Sequence, residues 1–251
     1  MDFALILVIA TAVAGLIWAV DAVWWKRRRG EMAPEPVVVE YARSFFPILL
    51  LVLLVRSFLF EPFRIPSSSM MPTLLVGDFI FVNKFDYGLR LPVLNTKILE
   101  IGQPERGDVI VFRLPSDPST NYIKRLVGLP GDTIRYANKK IFVNDQPIET
   151  VAEGIYEGDD QPGSLLLQER LGAVEHQILL LPGQHGLEGT FVVPPGHFFM
   201  MGDNRDNSRD SRYDGVGFVP EANLVGRAVR IWMSWDFPGL PNWARIGMAV
   251  R

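Results

Sequence analysis

The sequence predicts a mainly β protein whose antiparallel-sheet domain lies outside the cytoplasm, carries a smaller inserted region and follows two N-terminal transmembrane helices. Two long apolar segments within the first 60 residues predict the helices. Beyond them, short segments of β-type residues alternate with turns rich in Gly, Pro, Asn and Asp, as in antiparallel sheets. Hydrophobic residues make up 48% of the 251-residue chain and charged residues 21%, which excludes a disordered protein.

Charge and residue content exclude several classes of function. The formal net charge of −3 provides no positive excess for binding a polyanion, so we expect no nucleic-acid partner. Without cysteine the chain forms neither disulfides nor thiolate metal sites. The three histidines, His176, His185 and His197, lack the spacing of a zinc hydrolase, so we expect no metal and no cofactor.

The first apolar segment, Phe3 to Val20, has no charged residue over 18 positions. At about 1.5 Å rise per residue it nearly spans a hydrocarbon core of about 30 Å, so residues 1–25 are predicted as a transmembrane helix. Trp24 and Trp25 suit the membrane interface at its end. The basic run Lys26–Arg29 follows, and because positive charge beside a span stays in the cytoplasm, the N-terminus should lie outside.

The second apolar segment, Phe45 to Phe60, contains one charge, Arg56, close to its far end. We predict a second transmembrane helix over residues 44–60, with the Arg56 side chain extending toward water. Residues 26–43 then form a short cytoplasmic loop, and everything in residues 61–251 lies outside the cytoplasm.

Each segment has an alternative interpretation. Ala12-Val13-Ala14 has the small-x-small pattern of a cleavable signal peptide, although no basic residue precedes the apolar segment. The second segment is short for a span, though Val37 to Val39 would lengthen it, and it is also compatible with a buried helix of the outer domain.

Eight segments of β-type residues are predicted as strands: Phe79–Val82, Val109–Phe112, Tyr122–Val127, Thr133–Tyr136, Lys140–Val143, Phe191–Val193, Phe198–Met201 and Leu224–Trp232. Turns are predicted at Leu129–Asp132, Asn144–Asp145 and Pro194–Gly196. Two longer pieces fit this spacing poorly. Residues 86–106 are predicted as an extended hairpin, and residues 149–189, rich in Gly and acidic residues, as an inserted subdomain.

Three serines, Ser67, Ser68 and Ser69, lie on a short apolar loop directly after the second apolar segment. Turn chemistry is the usual explanation for such a cluster. Hydroxyls buried between apolar neighbours need hydrogen-bond partners, however, and a buried serine hydroxyl is also a candidate nucleophile.

Lys124 and Arg125 interrupt an apolar strand pattern. Because alternate side chains of a strand point to opposite faces, the two cannot face the same way, and we expect one of them to point inward. A solvated strand face is the ordinary explanation of such a lysine. A desolvated lysine instead has a lowered pKa and accepts a proton near neutral pH.

The segment Gly202–Arg212 contains many Asp, Asn, Arg and Ser residues directly after a hydrophobic strand. An exposed charged loop would explain it. A fixed network of ion pairs and hydrogen bonds that positions a catalytic group is the alternative. No GxSxG or SxxK motif is present, so the simplest nucleophilic pairing is a serine with a neutral lysine as its base.

Taken together, the three polar segments and the two anchors resemble the bacterial type I signal peptidases (leader peptidases), specifically the two-anchor Gram-negative kind. The resemblance covers nearly the whole chain from Trp24 onward. It is densest at Ser67–Asp78, Tyr122–Asp132 and Pro194–Arg212. Three ordered motifs together with the anchors make it specific.

The resemblance implies roles for individual residues. Ser69 matches the nucleophile and Lys124 the general base. Ser67 matches the hydroxyl that forms the oxyanion hole with the backbone N–H of Ser69, and Ser208 matches the serine that hydrogen-bonds the lysine amine. The matching supporting salt bridges are Asp203 with Arg125 and Asp210 with Arg212. The residues that match walls of shallow substrate pockets are Phe63, Ile65, Pro66, Met70, Leu74, Tyr122 and Ile123. Trp232 matches an aromatic residue held near the bilayer.

The resemblance also implies an activity and a location. The expected enzyme is a membrane-bound serine endopeptidase that removes N-terminal signal peptides from exported preproteins after small residues in an Ala-x-Ala context. Its expected partners are those signal sequences and the lipid bilayer, with no obligate partner protein. The expected location is the bacterial inner membrane, with the N-terminus and the catalytic domain on the periplasmic side.

Two other classes of function share parts of the pattern. A membrane-tethered binding or assembly factor would have the anchors and strands, but would not need Ser69, Lys124 and Ser208 at one point. A serine-lysine hydrolase of another specificity would have the dyad, but not shallow pockets for small side chains.

Exposed apolar residues such as Trp235, Phe237 and Trp243 would either press into the membrane interface or pack in a core.

Overall fold

The computed structural model describes residues 3–29, 34–91, 96–158 and 160–251. The chain divides into two compact units, one of residues 1–61 with 88–101 and one of residues 62–87 with 102–251. Parts of four predicted segments lie outside the described residues: positions 1–2 of the first helix, 30–33 of the loop, 92–95 of the hairpin and 159 of the inserted region.

The first unit contains two long apolar helices. Helix α1 (Phe3–Val20) continues through a π-helical turn, Asp21–Trp25, into the short α2 (Lys26–Arg28), and α3 covers Val37–Phe58. The stretches Ala4–Arg28 and Val37–Phe58 are long and apolar enough to cross a membrane, and only 17% and 11% of their most apolar windows are buried. Such exposure of apolar side chains fits membrane anchoring, because water would make it unfavourable.

The helix bounds differ from those expected from sequence. The first helical stretch continues through Arg28 rather than ending at residue 25, and α3 begins at Val37 rather than at residue 44. Pro36 occupies the N-cap of α3 and sets its start, whereas Pro47 lies within the helix. Proline is tolerated inside membrane-spanning helices, so Pro47 does not end the helix. Residues 37–43 therefore belong to the helix and not to the loop.

The two helices pack on each other within this unit. The rings of Trp18 and Phe46 lie 5.5 Å apart. Gly15 permits the close approach, because a Cβ at this position would lie 2.7 Å from Phe46 Cε2. The same unit holds a short hairpin of strands β3 (Leu89–Arg90) and β4 (Lys97–Leu99), within the predicted arm.

The remaining strands are β1 (Phe60–Arg64), β2 (Asp78–Asn83), β5 (Val109–Leu114), β6 (Asp117–Gly128), β7 (Thr133–Ala137), β8 (Lys140–Val143), β9 (Gln146–Pro147), β10 (Glu149–Ile155), β11 (Leu165–Leu171), β12 (Val174–Leu180), β13 (Gly189–Val192), β14 (His197–Met201), β15 (Val219–Pro220) and β16 (Leu224–Ser234). The main sheet has the order β1-β2-β16-β5-β6-β14-β15. A second sheet has the order β13-β7-β8-β9, and a third the order β10-β11-β12. Their described registers are antiparallel, which confirms the predicted fold class.

All eight predicted strands overlap observed ones, and the predicted turns lie where the strands end. Asn144 and Asp145 both have positive φ, 50° and 64°, in the tight turn between β8 and β9. In the predicted insertion the structure has the three-stranded sheet β10–β12, whose strands the sequence pattern did not indicate.

Strand β6 lies in the interior of the main sheet and has both faces buried along its C-terminal half. Ile123, Leu126 and Val127 belong to three different clusters of the hydrophobic core. The neighbouring strands pair directly with its two basic residues, Ile110 of β5 opposite Lys124 and Met201 of β14 opposite Arg125. The sequence predicted that one of the two basic side chains points inward, and the structure buries both. Lys124 is 3% exposed and Arg125 is fully buried, on opposite faces that are both covered.

Candidate active site

Ser69 lies on a single 3₁₀ turn, Ser68–Met70, shortly after β1. The turn is fixed by its apolar neighbours, because Ile65 and Met70 are buried in the same core cluster as strand residues of the main sheet. Ser69 itself is 9% exposed. Ser67, just before the turn, is exposed, and its hydroxyl oxygen lies 3.3 Å from that of Ser69.

Lys124 reaches the serine from β6. Its Nζ lies 2.7 Å from Ser69 Oγ and donates a hydrogen bond of 2.8 Å to the backbone carbonyl of Ile123. The fold thus brings together two residues separated by 55 positions in the sequence. An amine at this distance is within reach of the hydroxyl proton that a nucleophilic serine must lose.

Burial changes the acid–base chemistry of this amine. Removal from water disfavours the charged form and lowers the pKa of Lys124 to about 8, although the carboxylates of Asp210 and Asp203 act in the opposite direction. At pH 7 about one amine in ten is therefore neutral, compared with fewer than one in a thousand for a lysine in water. The site holds a usable base near neutral pH.

Ser208 lies beside the site but does not bond the lysine. Its Oγ is buried and, within the described ranges, has no hydrogen-bond partner. The hydrogen bond to the Lys124 amine that the resemblance implies is therefore not formed in this structure. Ser208 instead packs against Gly202, where an added Cβ would lie 2.2 Å from Ser208 Oγ and 2.5 Å from the carbonyl oxygen of Ser69.

The first implied salt bridge is present and buried. Arg125 donates from Nε to Asp203 Oδ1 over 2.8 Å and from Nη2 to Asp203 Oδ2 over 2.6 Å. Its Nη1 donates to the carbonyl of Gly107 and its Nη2 also to that of Arg251. Thr73, near the serine turn, donates its hydroxyl to Asp203 Oδ2. Burial alone raises the pKa of Asp203, but Arg125 outweighs it and keeps the pKa below its usual value.

The second implied salt bridge holds the backbone of Gly202, which lies next to Ser208 and the Ser69 carbonyl. Arg212 Nε lies 2.8 Å from Asp210 Oδ1, and both side chains are completely buried. The other oxygen of Asp210 accepts a hydrogen bond from the backbone N–H of Gly202. This pair therefore fixes the close contact between Gly202 and Ser208.

A third buried ion pair was not anticipated from the sequence. Arg205 donates from Nη1 to Glu169 Oε2 over 2.8 Å and from Nη2 to the other oxygen of Glu169. Nε2 of His176 lies 3.2 Å from Glu169 Oε1 and 3.9 Å from Asp203 Oδ1. Burial alone raises the pKa of Glu169, but Arg205 and His176 lower it more strongly, to about 2. Glu169 and His176 lie on β11 and β12, in a segment whose sequence pattern carried no chemical signal.

The residues expected to line substrate pockets divide into two groups. Phe63, Pro66 and Tyr122 keep part of their surface accessible, and Ile65 and Ile123 lie almost buried next to them. Met70 and Leu74 are completely buried in the core. Neither of these two side chains exposes surface to solvent in this structure, so their role in a substrate pocket stays a prediction.

An exposed apolar surface surrounds the end of β16. Its residues include Trp232, Trp235, Phe237, Leu240 and Trp243, which are 37–92% exposed. Trp232 also packs on Phe79 and Phe81 of β2, with ring centroids 5.4 and 5.7 Å apart. Trp235, Phe237 and Trp243 thus lie at the surface rather than in a core.

Comparison with known proteins shows the family to which this chain belongs. The family model described as signal peptidase, peptidase S26, matches residues 38–234. The chain is 50% identical to signal peptidase I of Pseudomonas fluorescens and 49% identical to signal peptidase I of Pseudomonas aeruginosa, in alignments 285 positions long that cover 99% of both chains. A crystal structure of a signal peptidase I from Enterococcus faecalis is 26% identical, with a TM-score of 0.32 over 51% of this chain and 98% of that one. The chain therefore belongs to the signal peptidase family, peptidase S26, and is a serine-type signal peptidase.

Proposed function

We propose that this protein is a membrane-anchored endopeptidase that removes N-terminal signal peptides from exported preproteins, with Ser69 as nucleophile and Lys124 as general base. The observation that carries the proposal is the distance of 2.7 Å between Lys124 Nζ and Ser69 Oγ, at an amine that is withdrawn from water. A lysine that is neutral near pH 7 can deprotonate a serine without the histidine and aspartate of other serine proteases.

The reaction follows from the positions of these groups. The neutral amine of Lys124 donates a hydrogen bond to the Ile123 carbonyl, and in the proposed reaction it turns its lone pair to the Ser69 hydroxyl, whose oxygen lies 2.7 Å away. It takes the hydroxyl proton while Oγ attacks the scissile carbonyl carbon. The proton then passes to the departing amine, and an acyl-enzyme remains. Water, deprotonated by the same amine, attacks the ester and releases the signal peptide with regeneration of Ser69.

The oxyanion formed during each attack needs hydrogen-bond donors. We assign these to the hydroxyl of Ser67, which lies beside Ser69 Oγ, and to the backbone N–H of Ser69. Removal of one such donor costs about 10²–10³ in kcat in other enzymes. The ion pairs Arg125–Asp203 and Arg212–Asp210 hold the surrounding loop and do not contact the reacting atoms.

The proposed specificity is for small side chains at the first and third positions before the cut, as in Ala-x-Ala. The partly accessible side chains of Phe63, Pro66 and Tyr122, with Ile65 and Ile123 at the edge, leave an apolar surface beside Ser69. Shallow apolar pockets favour a methyl group and exclude larger side chains by overlap.

The proposed location is the bacterial inner membrane. The apolar parts of the stretches Ala4–Arg28 and Val37–Phe58 cross it, and the basic residues Lys26–Arg29 at the end of the first stay in the cytoplasm. The N-terminus and the proposed catalytic domain then lie on the periplasmic side. That domain comprises residues 61–251, with its hairpin at 86–106 and its insertion at 149–189. Signal sequences occupy the same bilayer, so anchoring raises the effective concentration of substrate at Ser69.

The test incubates the purified full-length protein in detergent with a preprotein that has an Ala-x-Ala site, and maps the new N-terminus by mass spectrometry. We expect one cut after the second Ala, and none with Ser69→Ala or Lys124→Met. The matched controls Ser119→Ala and Lys140→Met change exposed residues of the same types and should cleave normally.

Each other outcome contradicts part of the proposal. Cleavage in a different sequence context would indicate a serine-lysine hydrolase of another specificity. Absence of cleavage by the unmodified protein would favour a tethered binding factor. Retained cleavage by Ser69→Ala or Lys124→Met would exclude the proposed dyad.

A further inference from the structure

Asn204 contacts the backbone on both sides of the proposed nucleophile. Its side-chain Nδ2 donates to the carbonyl oxygen of Ser68 over 3.1 Å, and its backbone N–H donates to the carbonyl oxygen of Ser69, also over 3.1 Å. One residue therefore anchors the two consecutive peptide planes that flank the Cα of Ser69. Because those planes determine the φ and ψ of Ser69, they also direct its hydroxyl.

The peptide plane before Ser69 has particular importance. The carbonyl of Ser68 and the N–H of Ser69 belong to the same peptide group, and this N–H is one of the two proposed oxyanion donors. A hydrogen bond to the carbonyl fixes the direction of the N–H at the other end of the plane. It also polarises the amide, which strengthens the N–H as a donor.

The side chain of Asn204 is suited to this contact. The residue is completely buried. A carbonyl oxygen can only accept, so the amide nitrogen must be the atom that faces Ser68. The Ser68 carbonyl also accepts from the backbone N–H of Met71, so loss of the Asn204 amide would not leave that carbonyl without a partner.

The backbone of Asn204 is itself held by strand β12. Leu179 donates its N–H to the carbonyl of Asp203 over 2.9 Å and accepts from the N–H of Arg205 over 3.0 Å. These two bonds enclose Asn204 in a short parallel bridge. A rigid strand thus determines where the amide of Asn204 can reach.

We infer that Asn204 is a positioning residue, which orients the peptide group Ser68–Ser69 so that its N–H faces the developing oxyanion. The inference rests on the proposed Ser69/Lys124 mechanism and adds a residue that neither the dyad nor the supporting ion pairs contain. Because the N–H itself survives loss of the Asn204 side chain, the effect should be smaller than that of deleting a donor, about tenfold in kcat.

The variants are Asn204→Ala and Asn204→Leu, the second of which keeps the buried volume without a donor. Thermal unfolding of the full-length protein in detergent establishes that each is folded. The matched control is Asn207→Ala, because Asn207 is exposed on the same loop and its Nδ2 bonds the hydroxyl of Ser68 rather than the peptide group, over 3.0 Å. Cleavage of a peptide substrate gives kcat and KM.

A pair of inhibitors separates positioning from general structural damage. A peptide aldehyde ending in Ala adds to the Ser69 hydroxyl and forms a hemiacetal whose oxygen occupies the oxyanion site. The corresponding peptide alcohol binds without forming that oxygen. For both Asn204 variants we expect kcat and aldehyde affinity to fall about tenfold. Their KM and their affinity for the alcohol should stay within twofold of the values of the unmodified protein. Asn207→Ala should leave all four quantities unchanged.

Two results would overturn the inference. In one, the folded Asn204 variants keep kcat and aldehyde affinity within twofold. In the other, aldehyde and alcohol affinities fall by the same factor, which indicates a merely structural role. Failure of the proposed function is a separate result, because it would appear as cleavage retained by Ser69→Ala. If Ser69→Ala loses cleavage while Asn204→Ala keeps normal kcat and aldehyde affinity, only the inference about Asn204 fails.

Discussion

Glu169 on β11 and Arg205 on the loop after β14 form a two-pronged ion pair with both side chains only 1% exposed. The pair joins the three-stranded sheet to the loop that also contains Asp203 and Ser208. Residues 149–189 therefore do not act as a detached insertion at this point. They supply a buried carboxylate to the surroundings of the proposed dyad.

Loss of this carboxylate should destabilise the protein strongly. Glu169→Ala leaves the Arg205 guanidinium buried without its partner, and breaking a buried pair in this way costs about 3–5 kcal/mol. The measurement is thermal unfolding of the full-length protein in detergent. Glu175→Ala is the control, since Glu175 pairs with Arg170 on the surface, where such a pair contributes about 0–1 kcal/mol. Equal losses in the two variants would contradict the buried role.

The pH dependence of cleavage should follow the amine of Lys124. In the proposed mechanism, attack needs the neutral amine, whose pKa burial lowers to about 8. We expect kcat/KM to rise about tenfold per pH unit below pH 8 and to level off above it. The measurement uses a peptide substrate without titratable side chains. An inflection near pH 6.5 would instead indicate a histidine as base.

Replacement of Lys124, the proposed base, should stabilise the fold while it removes activity. Burial lowers the pKa of Lys124 from 10.5 to about 8. Below pH 8 both the folded and the unfolded chain hold this proton, and the folded state carries the full penalty, about 3 kcal/mol. Between pH 8 and 10.5 only the unfolded chain holds it, so stability rises with pH across that window.

The variant Lys124→Met has a side chain of similar length without charge. After the lost hydrogen bonds to Ser69 and to the Ile123 carbonyl are allowed for, we expect a net gain of about 2 kcal/mol at pH 7. The rise in stability between pH 8 and 10.5 should also become smaller. Thermal unfolding at pH 7 and at pH 10 measures both effects, with the exposed Lys140→Met as control. A lower melting temperature than that of the unmodified protein at pH 7 would refute the expectation.

The contact between Gly202 and Ser208 leaves no room for a methyl group. Gly202→Ala would place a Cβ 2.2 Å from Ser208 Oγ and 2.5 Å from the Ser69 carbonyl oxygen, so the loop and the serine turn must separate. A displacement near 1 Å at a catalytic group costs about 10² in rate, and we expect at least that loss in kcat. Gly189→Ala is the control, because the three atoms nearest to its Cβ would all belong to the ring of Phe191, at 3.0 Å or more. Normal turnover by Gly202→Ala would contradict the described packing.

Much of the fold could be predicted because its signals are local. The strands around Phe79, Ile134 and Phe199 show the β-type residues and turn boundaries that antiparallel sheets require, and each appears in the structure. Turn prediction succeeded at Asn144 and Asp145 for the same reason, since these residues accept positive φ at low cost.

The site was less accessible to local reasoning. Alternation along β6 places Lys124 and Arg125 on opposite faces, but it does not show whether both faces are covered, which depends on distant strands. Glu169 carries no signal of its own. Asn204 lies in the segment Gly202–Arg212, for which the sequence offered a hydrogen-bond network, but the pattern does not show its partner, which comes from a remote segment. The residues themselves indicated a serine paired with a neutral lysine, whereas the choice of Ser69 and Lys124 came from the resemblance of whole motifs.

The two members of the proposed dyad differ in how firmly the fold holds them. Lys124 lies on an interior strand that is hydrogen-bonded on both sides, whereas Ser69 lies on a single short turn outside the sheet. Met70 anchors the turn in the core, but in the described part of the chain the turn has no strand pairing of its own, so we expect it to open at a lower free energy than the sheet unfolds. Mild denaturant should therefore abolish cleavage while the circular-dichroism signal of the strands persists. Removal of the denaturant should restore activity without refolding of the domain.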